Sequence, residues 1–151
     1  MQTFTRQIHS RPCSAGWTLT ELLAVLAIVG TLGTLAIGHY QQQQRQTRRT
    51  DARVALQQLL LDQARYRGHH ESFASQLSDL GWTGDRSSQG HYRLKITQAD
   101  ADGHVLEAWP EGAQAADTGC SPMRLQWRDT ATVVHSSGTG TDSDPERCWS
   151  R

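Results

Sequence analysis

Proline is missing where it would matter most. None of the four prolines lies between Trp17 and Arg67, so nothing in that stretch forbids one continuous helix. Excess charge is missing too. Fifteen basic and fifteen acidic residues give a formal charge of +0. That balance removes any general drive toward nucleic acid and leaves a local basic stripe as the one route to it. Residues 1–16 lack acid and carry Arg6 and Arg11; without them 13 basic residues face 15 acidic ones, a net charge of −2. Catalytic constellations are lacking as well. Ser and His are scattered through polar stretches, so the chain offers no enzyme and implies no cofactor. His69, His70 and Glu71 are consecutive and point in different directions, which gives no metal site. Asp100-x-Asp102-Gly103 starts like a calcium loop, but Gln98 and Trp109 stand where further acids are needed, so a hairpin turn is expected. An even cysteine count is also absent. Cys13, Cys120 and Cys148 are an awkward number for an exported protein. If Cys13 leaves with a leader, one pair remains, either bridged in an oxidising compartment or held as two buried thiols.

The strongest positive signal is the uncharged apolar block Leu22 to Ile37. An ordinary secretory signal places its apolar region ahead of a small-residue cleavage site. Here Gly16 comes first, so a cut there removes a polar leader and keeps the apolar helix. The block is slightly short of the roughly 20 residues of a membrane span. Extending it back through Trp17 to Leu19 reaches that length and draws Glu21 into or near the bilayer. A carboxylate there costs on the order of a few kcal/mol unless paired, which makes Glu21 a functional candidate.

Downstream, Ala52, Ala55, Leu56, Leu59, Leu60 and Gln63 recur at helical spacing, a stripe suited to lying on a sheet. Gly68, His69 and His70 end that helix. Residues 69–90 read as loop with an apolar patch of Phe73, Leu77, Leu80 and Trp82. Tyr92–Ile96, Val105–Trp109, Met123–Trp127 and Thr132–His135 read as short strands. The expected architecture is α+β: a long N-terminal helix, half membrane-spanning and half amphipathic, packed on a small antiparallel sheet. Arg45, Arg48, Arg49 and Arg53 read as a solvated helix face or as headgroup contacts. A nucleic-acid stripe would need exposed Lys and Arg gathered on one face, with Arg93, Lys95, Arg124, Arg128 and Arg147 as the candidates.

Gly16-Trp17-Thr18-Leu19-Thr20-Glu21-Leu22 resembles the cleavage motif of type IV prepilins, with Trp17 where the family usually has Phe. Gly30 and Tyr40 also match family positions, and Gly38 stands where many pilins carry a helix-bending proline. Asp51 to Tyr66, Trp109 to Asp117 and the ending Cys120…Cys148-Trp149 resemble PilE-type minor pilins. The resemblance implies a leader at 1–16, a transmembrane and filament-core helix at 17–40, an amphipathic helix at 41–67 and a pilin head at 68–151. It implies a Cys120–Cys148 disulfide closing the C-terminal loop. It implies cleavage between Gly16 and Trp17 by a prepilin peptidase that also N-methylates Trp17, and pairing of Glu21 with a neighbouring subunit's amine. The expected partners are other pilin subunits, that peptidase, the inner-membrane assembly machinery and membrane lipid before assembly. The expected place is the bacterial inner membrane, head in the periplasm, and then the pilus surface. The simple distribution of Arg residues favours the opposite orientation; the leader motif decides for this one, because its peptidase acts at the cytoplasmic face. The function implied is a minor pilin supporting pilus assembly, adhesion and twitching motility. The alternatives are a DNA-receptor pilin, with nucleic acid as partner, and a type II secretion pseudopilin.

Overall fold

The structure, a computed structural model, describes residues 18–128, 132–138 and 145–150. Helix α1 runs from Leu19 to Arg67, as the missing proline allows. It opens on a capping box. The Thr18 hydroxyl accepts the Glu21 N–H at 3.3 Å, and the Glu21 carboxylate accepts the Thr18 N–H and hydroxyl at 2.9 Å each. The helix closes at Gly68, whose N–H reaches the Ala64 carbonyl at 3.2 Å.

Two compact units divide the chain, one through His39 and one from Tyr40. In the first, the described residues form apolar helix with Leu22, Leu26 and Val29 exposed. By length and composition this is a helix able to cross a membrane.

The second unit holds the core. Strands β1 (Tyr92–Ala99), β2 (Gly103–Pro110), β3 (Met123–Arg128) and β4 (Val133–Ser137) form one antiparallel sheet in the order β1-β2-β3-β4. Ala52, Ala55, Leu56 and Leu59 of α1 pack with Tyr92, Leu94, Leu106, Ala108, Met123 and Leu125 of the sheet. The expected stripe is therefore the one used, with Leu60 at its partly buried rim. Gln63 is fully buried and hydrogen-bonded, its amide bracketing the Ala74 N–H and carbonyl at 2.9 and 2.8 Å. The expected hairpin turn joins β1 to β2. Asp100 Oδ1 accepts the N–H groups of Asp102 and Gly103 at 2.8 Å. At Gly103 a Cβ would sit 2.5 Å from the Trp127 carbonyl oxygen, so only glycine fits there.

The C-terminal segment is fastened in several ways. Cys120 and Cys148 are bridged, with Cα atoms 5.7 Å apart, the second of them in helix α2 (Pro145–Trp149). Trp149 Nε1 donates to the Ser136 carbonyl at 2.9 Å, and Arg53 Nη1 donates to the Trp149 carbonyl at 3.0 Å. Arg49 grips both Asp117 oxygens, at 2.7 and 2.8 Å, and the Arg147 carbonyl at 3.1 Å. Arg49 and Arg53 thus depart from the solvated-face expectation. They turn inward because a carboxylate and a row of helix-end carbonyls lie within reach of their forks.

Removing the bridge should be costly. In the chain-entropy model a closed loop with a sequence separation of 28 contributes about 3–4 kcal/mol, a large share of a small domain's stability of about 5–15 kcal/mol. Cys148→Ser should lower the melting temperature and raise protease sensitivity; an unchanged melting curve would count against the bridge as a stabiliser.

His104 supplies a second test. It is buried in a cluster of rings, tilted against Phe73 and stacked on Trp127 with centroids 4.6 and 5.9 Å away, and neither ring nitrogen has a partner. Burial pushes its pKa down to about 4. Between pH 6.5 and 4 the unfolded chain therefore binds the proton and the folded one does not. Stability should fall as pH drops through that window, by about 3 kcal/mol at most. The urea midpoint of His104→Phe, followed against pH, should lack this component; parallel curves for the two proteins would refute the assignment.

Candidate functional site

Strand alternation gives the sheet a second face, directed away from the core. Its composition follows from the register: Arg93 pairs with Trp109, and Lys95, Glu107 and Arg124 form one rung across β1, β2 and β3. Gln126 and Arg128 continue the same face along β3. Four of the five cations named for a basic stripe, Arg93, Lys95, Arg124 and Arg128, are brought together. Arg147 is not. It belongs to α2, where its guanidinium lies beside Gly119.

Most of these side chains are held. Glu107, 5% exposed, accepts from Arg124 Nε and Nη2 at 2.8 and 2.6 Å on one oxygen and from Trp109 Nε1 at 2.9 Å on the other. Lys95 Nζ stands 5.4 Å from the Trp109 ring centroid, a cation–π contact. Arg93 reaches Glu111 at 2.7 Å and Asp85 at 3.5 Å, and Arg86 reaches Glu111 at 3.1 Å. Glu111 holds the Arg93 guanidinium charged, raising its pKa above the usual arginine value. A shallow depression of about 360 Å³ lies among Gln98, Glu107, Arg124, Gln126 and Arg128. Planar guanidinium forks, an ammonium, an indole and an amide on one surface can meet phosphate oxygens and nucleotide rings.

Of the other predicted residues, Gly16 and Trp17 lie outside the described residues. Glu21 occupies the first turn of α1, bonded to Thr18. The four-residue signature Thr18-x-x-Glu21 announces that cap in the sequence. Among the described residues no cluster of three or more His, Cys, Asp or Glu could hold a metal ion. Glu107 was missed by sequence reasoning. Its one signal is a glutamate inside a strand-like apolar run, and its partners come from the pairing of strands rather than from neighbours in the chain.

No curated protein matches the chain. A family model described as "Type IV minor pilin ComP, DNA uptake sequence receptor" matches residues 38–124, more than half of the sequence. The matched stretch includes α1 from Gly38, all of β1 and β2, and β3 as far as Arg124. With the long helix on a four-stranded antiparallel sheet and the C-terminal disulfide, the resemblance to type IV minor pilins is borne out, and the chain belongs to the family of the type IV minor pilin ComP, DNA uptake sequence receptor.

Proposed function

We propose that this minor pilin is a DNA receptor whose outer sheet face meets the duplex. The observation that carries this reading is the gathering of Arg93, Lys95, Arg124 and Arg128 on one face, beside Trp109, in a chain with no excess of positive charge. The printed description of the matched family names the same ligand class. Cations on such a face neutralise phosphates and fix register, while the indole and amide add ring and base-edge contacts. The match to a pilin family favours the pilus over a type II secretion pseudopilus.

Before it can act, the subunit must reach the filament. The leader of residues 1–16 is cut between Gly16 and Trp17, and Trp17 is N-methylated. The apolar half-helix sits in the inner membrane with the head in the periplasm. Transfer from lipid to a bundle of apolar helices is inexpensive, because the two surroundings are similarly apolar. Glu21 then meets a neighbouring subunit's amine, as opposite charges relieve each other's desolvation. Assembly support, adhesion and twitching belong to this filament role. Support comes from the order of Gly16, Trp17, Glu21 and the apolar block, and from the exposed apolar helix.

Glu21→Val should leave membrane insertion intact and reduce incorporation into sheared filaments; incorporation at the normal level would make the carboxylate incidental. For DNA, log affinity of the mature chain in detergent for a labelled duplex should fall linearly with log salt, at a slope of roughly −0.9 per phosphate contacted. Lys95→Ala and Arg128→Ala should each weaken binding and make the slope shallower by about one. Absence of binding at low salt, or slopes untouched by both substitutions, would overturn the receptor reading.

A further inference from the structure

A buried carboxylate in the middle of a basic face needs an explanation, because on charge alone it should oppose an anionic partner. Glu107 lies on the outward face of β2, yet its side chain is only 7% exposed. Three hydrogen bonds account for it, two from Arg124 and one from the Trp109 indole. These are charge-assisted contacts on a nearly buried carboxylate, the kind that fix a rotamer. The neighbours then follow in order. Arg124 commits Nε and one Nη2 proton to Glu107 and keeps three donors for another acceptor. Trp109 commits its single polar atom, so its ring plane is set. Lys95 rests over that ring at 5.4 Å. In the register Lys95 and Arg124 flank Glu107 on either side, two strands and so about 10 Å apart.

We infer that Glu107 is the positioning residue of this face: it holds Arg124 directly, and Lys95 through Trp109, as two fixed cations for two separate phosphate groups of a nucleic acid. This rests on the DNA-receptor reading and adds to it a part that no positive charge supplies. Two flexible side chains that must be ordered on binding cost affinity, and a carboxylate that orders them beforehand removes much of that cost. Glu107 touches no phosphate in this scheme. It acts through the three groups it holds.

Two expectations with opposite signs make the inference testable. If Glu107 acted only as a negative charge, Glu107→Gln would strengthen binding of a phosphate polymer. As a positioning residue, Glu107→Gln should weaken it, by roughly three- to tenfold, although the face becomes more positive. The amide presents a donor where Trp109 Nε1 and Arg124 also present donors, so at least one contact is lost. Asp85 is the control. It is half exposed and 3.5 Å from Arg93, and Asp85→Asn should leave binding unchanged or make it tighter. Arg124→Lys keeps the charge and loses the fork, so it should weaken binding to a similar degree. The double variant Glu107→Gln/Arg124→Lys should bind scarcely worse than either single one, because the two act as a unit. The experiment is fluorescence anisotropy of a labelled mixed-sequence duplex with the mature full-length chain in detergent micelles, over a salt series. The Trp109 indole N–H resonance reports the contact independently and should exchange faster with solvent in Glu107→Gln. Tighter or equal binding by Glu107→Gln would overturn the inference and leave the receptor reading standing. Additive losses in the double variant would do the same. No binding by the unsubstituted chain would instead overturn the receptor reading beneath it.

Discussion

The burial of one helical stripe on one face of the sheet decides what the other face is free to become. Ala52, Leu56 and Leu59 are fully buried against Leu94, Leu106, Ala108 and Leu125. Each buried leucine is worth roughly 1.5–3 kcal/mol relative to an exposed one. Because side chains alternate along a strand, a residue facing this core puts its neighbours on the opposite side. Arg93 lies between Tyr92 and Leu94, and Glu107 between Leu106 and Ala108. A slip of one residue would bring these charges into the core, so the hydrophobic register also fixes which cations stand side by side outside.

Polar side chains of the same helix do a different task, fastening segments that have no regular pairing. Asp51, almost fully buried, accepts from the hydroxyls of Ser87 and Ser88 and from the backbone N–H groups of Gln89 and His91, at 2.6–3.3 Å. Asp62 takes the Trp82 indole at 3.0 Å. Gln114 donates to the Tyr92 hydroxyl at 2.9 Å and to Asp117 at 3.1 Å, and Asp117 in turn holds Arg49. Burial, the largest effect there, pushes the Tyr92 hydroxyl up to about 12 and keeps it neutral. Removing one member would strand the others in a water-poor setting, where an unpaired charge is expensive. The loops are ordered because both carboxylate oxygens of Asp51 and of Asp62 have found donors.

These two layers differ in how far they were legible in the sequence. Ala52, Ala55, Leu56 and Leu59 announce themselves by spacing, and Tyr92, Leu94 and Ile96 by alternation, since those periods are local properties of the chain. The hairpin at Asp102-Gly103 and the pairing of Cys120 with Cys148 were legible as well. Arg49 was not. A helix pattern reads it as one more exposed arginine, whereas its partner Asp117 is 68 residues away. Glu107 and Arg124 are 17 residues apart and meet because β2 pairs with β3. The candidate cations of the outer face could be named from the sequence, but not which of them gather: Arg147 belongs to α2, where it lies beside Gly119. Sequence periodicity reports the face on which a residue lies. It does not report which side chain of another element waits opposite.

A chain with as many acids as bases has little field at long range, and beyond a Debye length of about 8 Å in physiological salt even a local patch is screened. The acids are nevertheless unevenly employed. Asp51, Asp62 and Asp117 are engaged by the hydroxyl, indole and guanidinium groups that fasten the loops. On the outer face Glu107 and Glu111 are both occupied by arginines, so neither is loose to repel an approaching phosphate. Recognition on such a surface must rest on contacts made within a few ångströms, where fork geometry and ring planes count, more than on steering from a distance. A face of that kind gains from having its cations held still, and Glu107 and Glu111, which lower its charge, are the groups that hold Arg124 and Arg93.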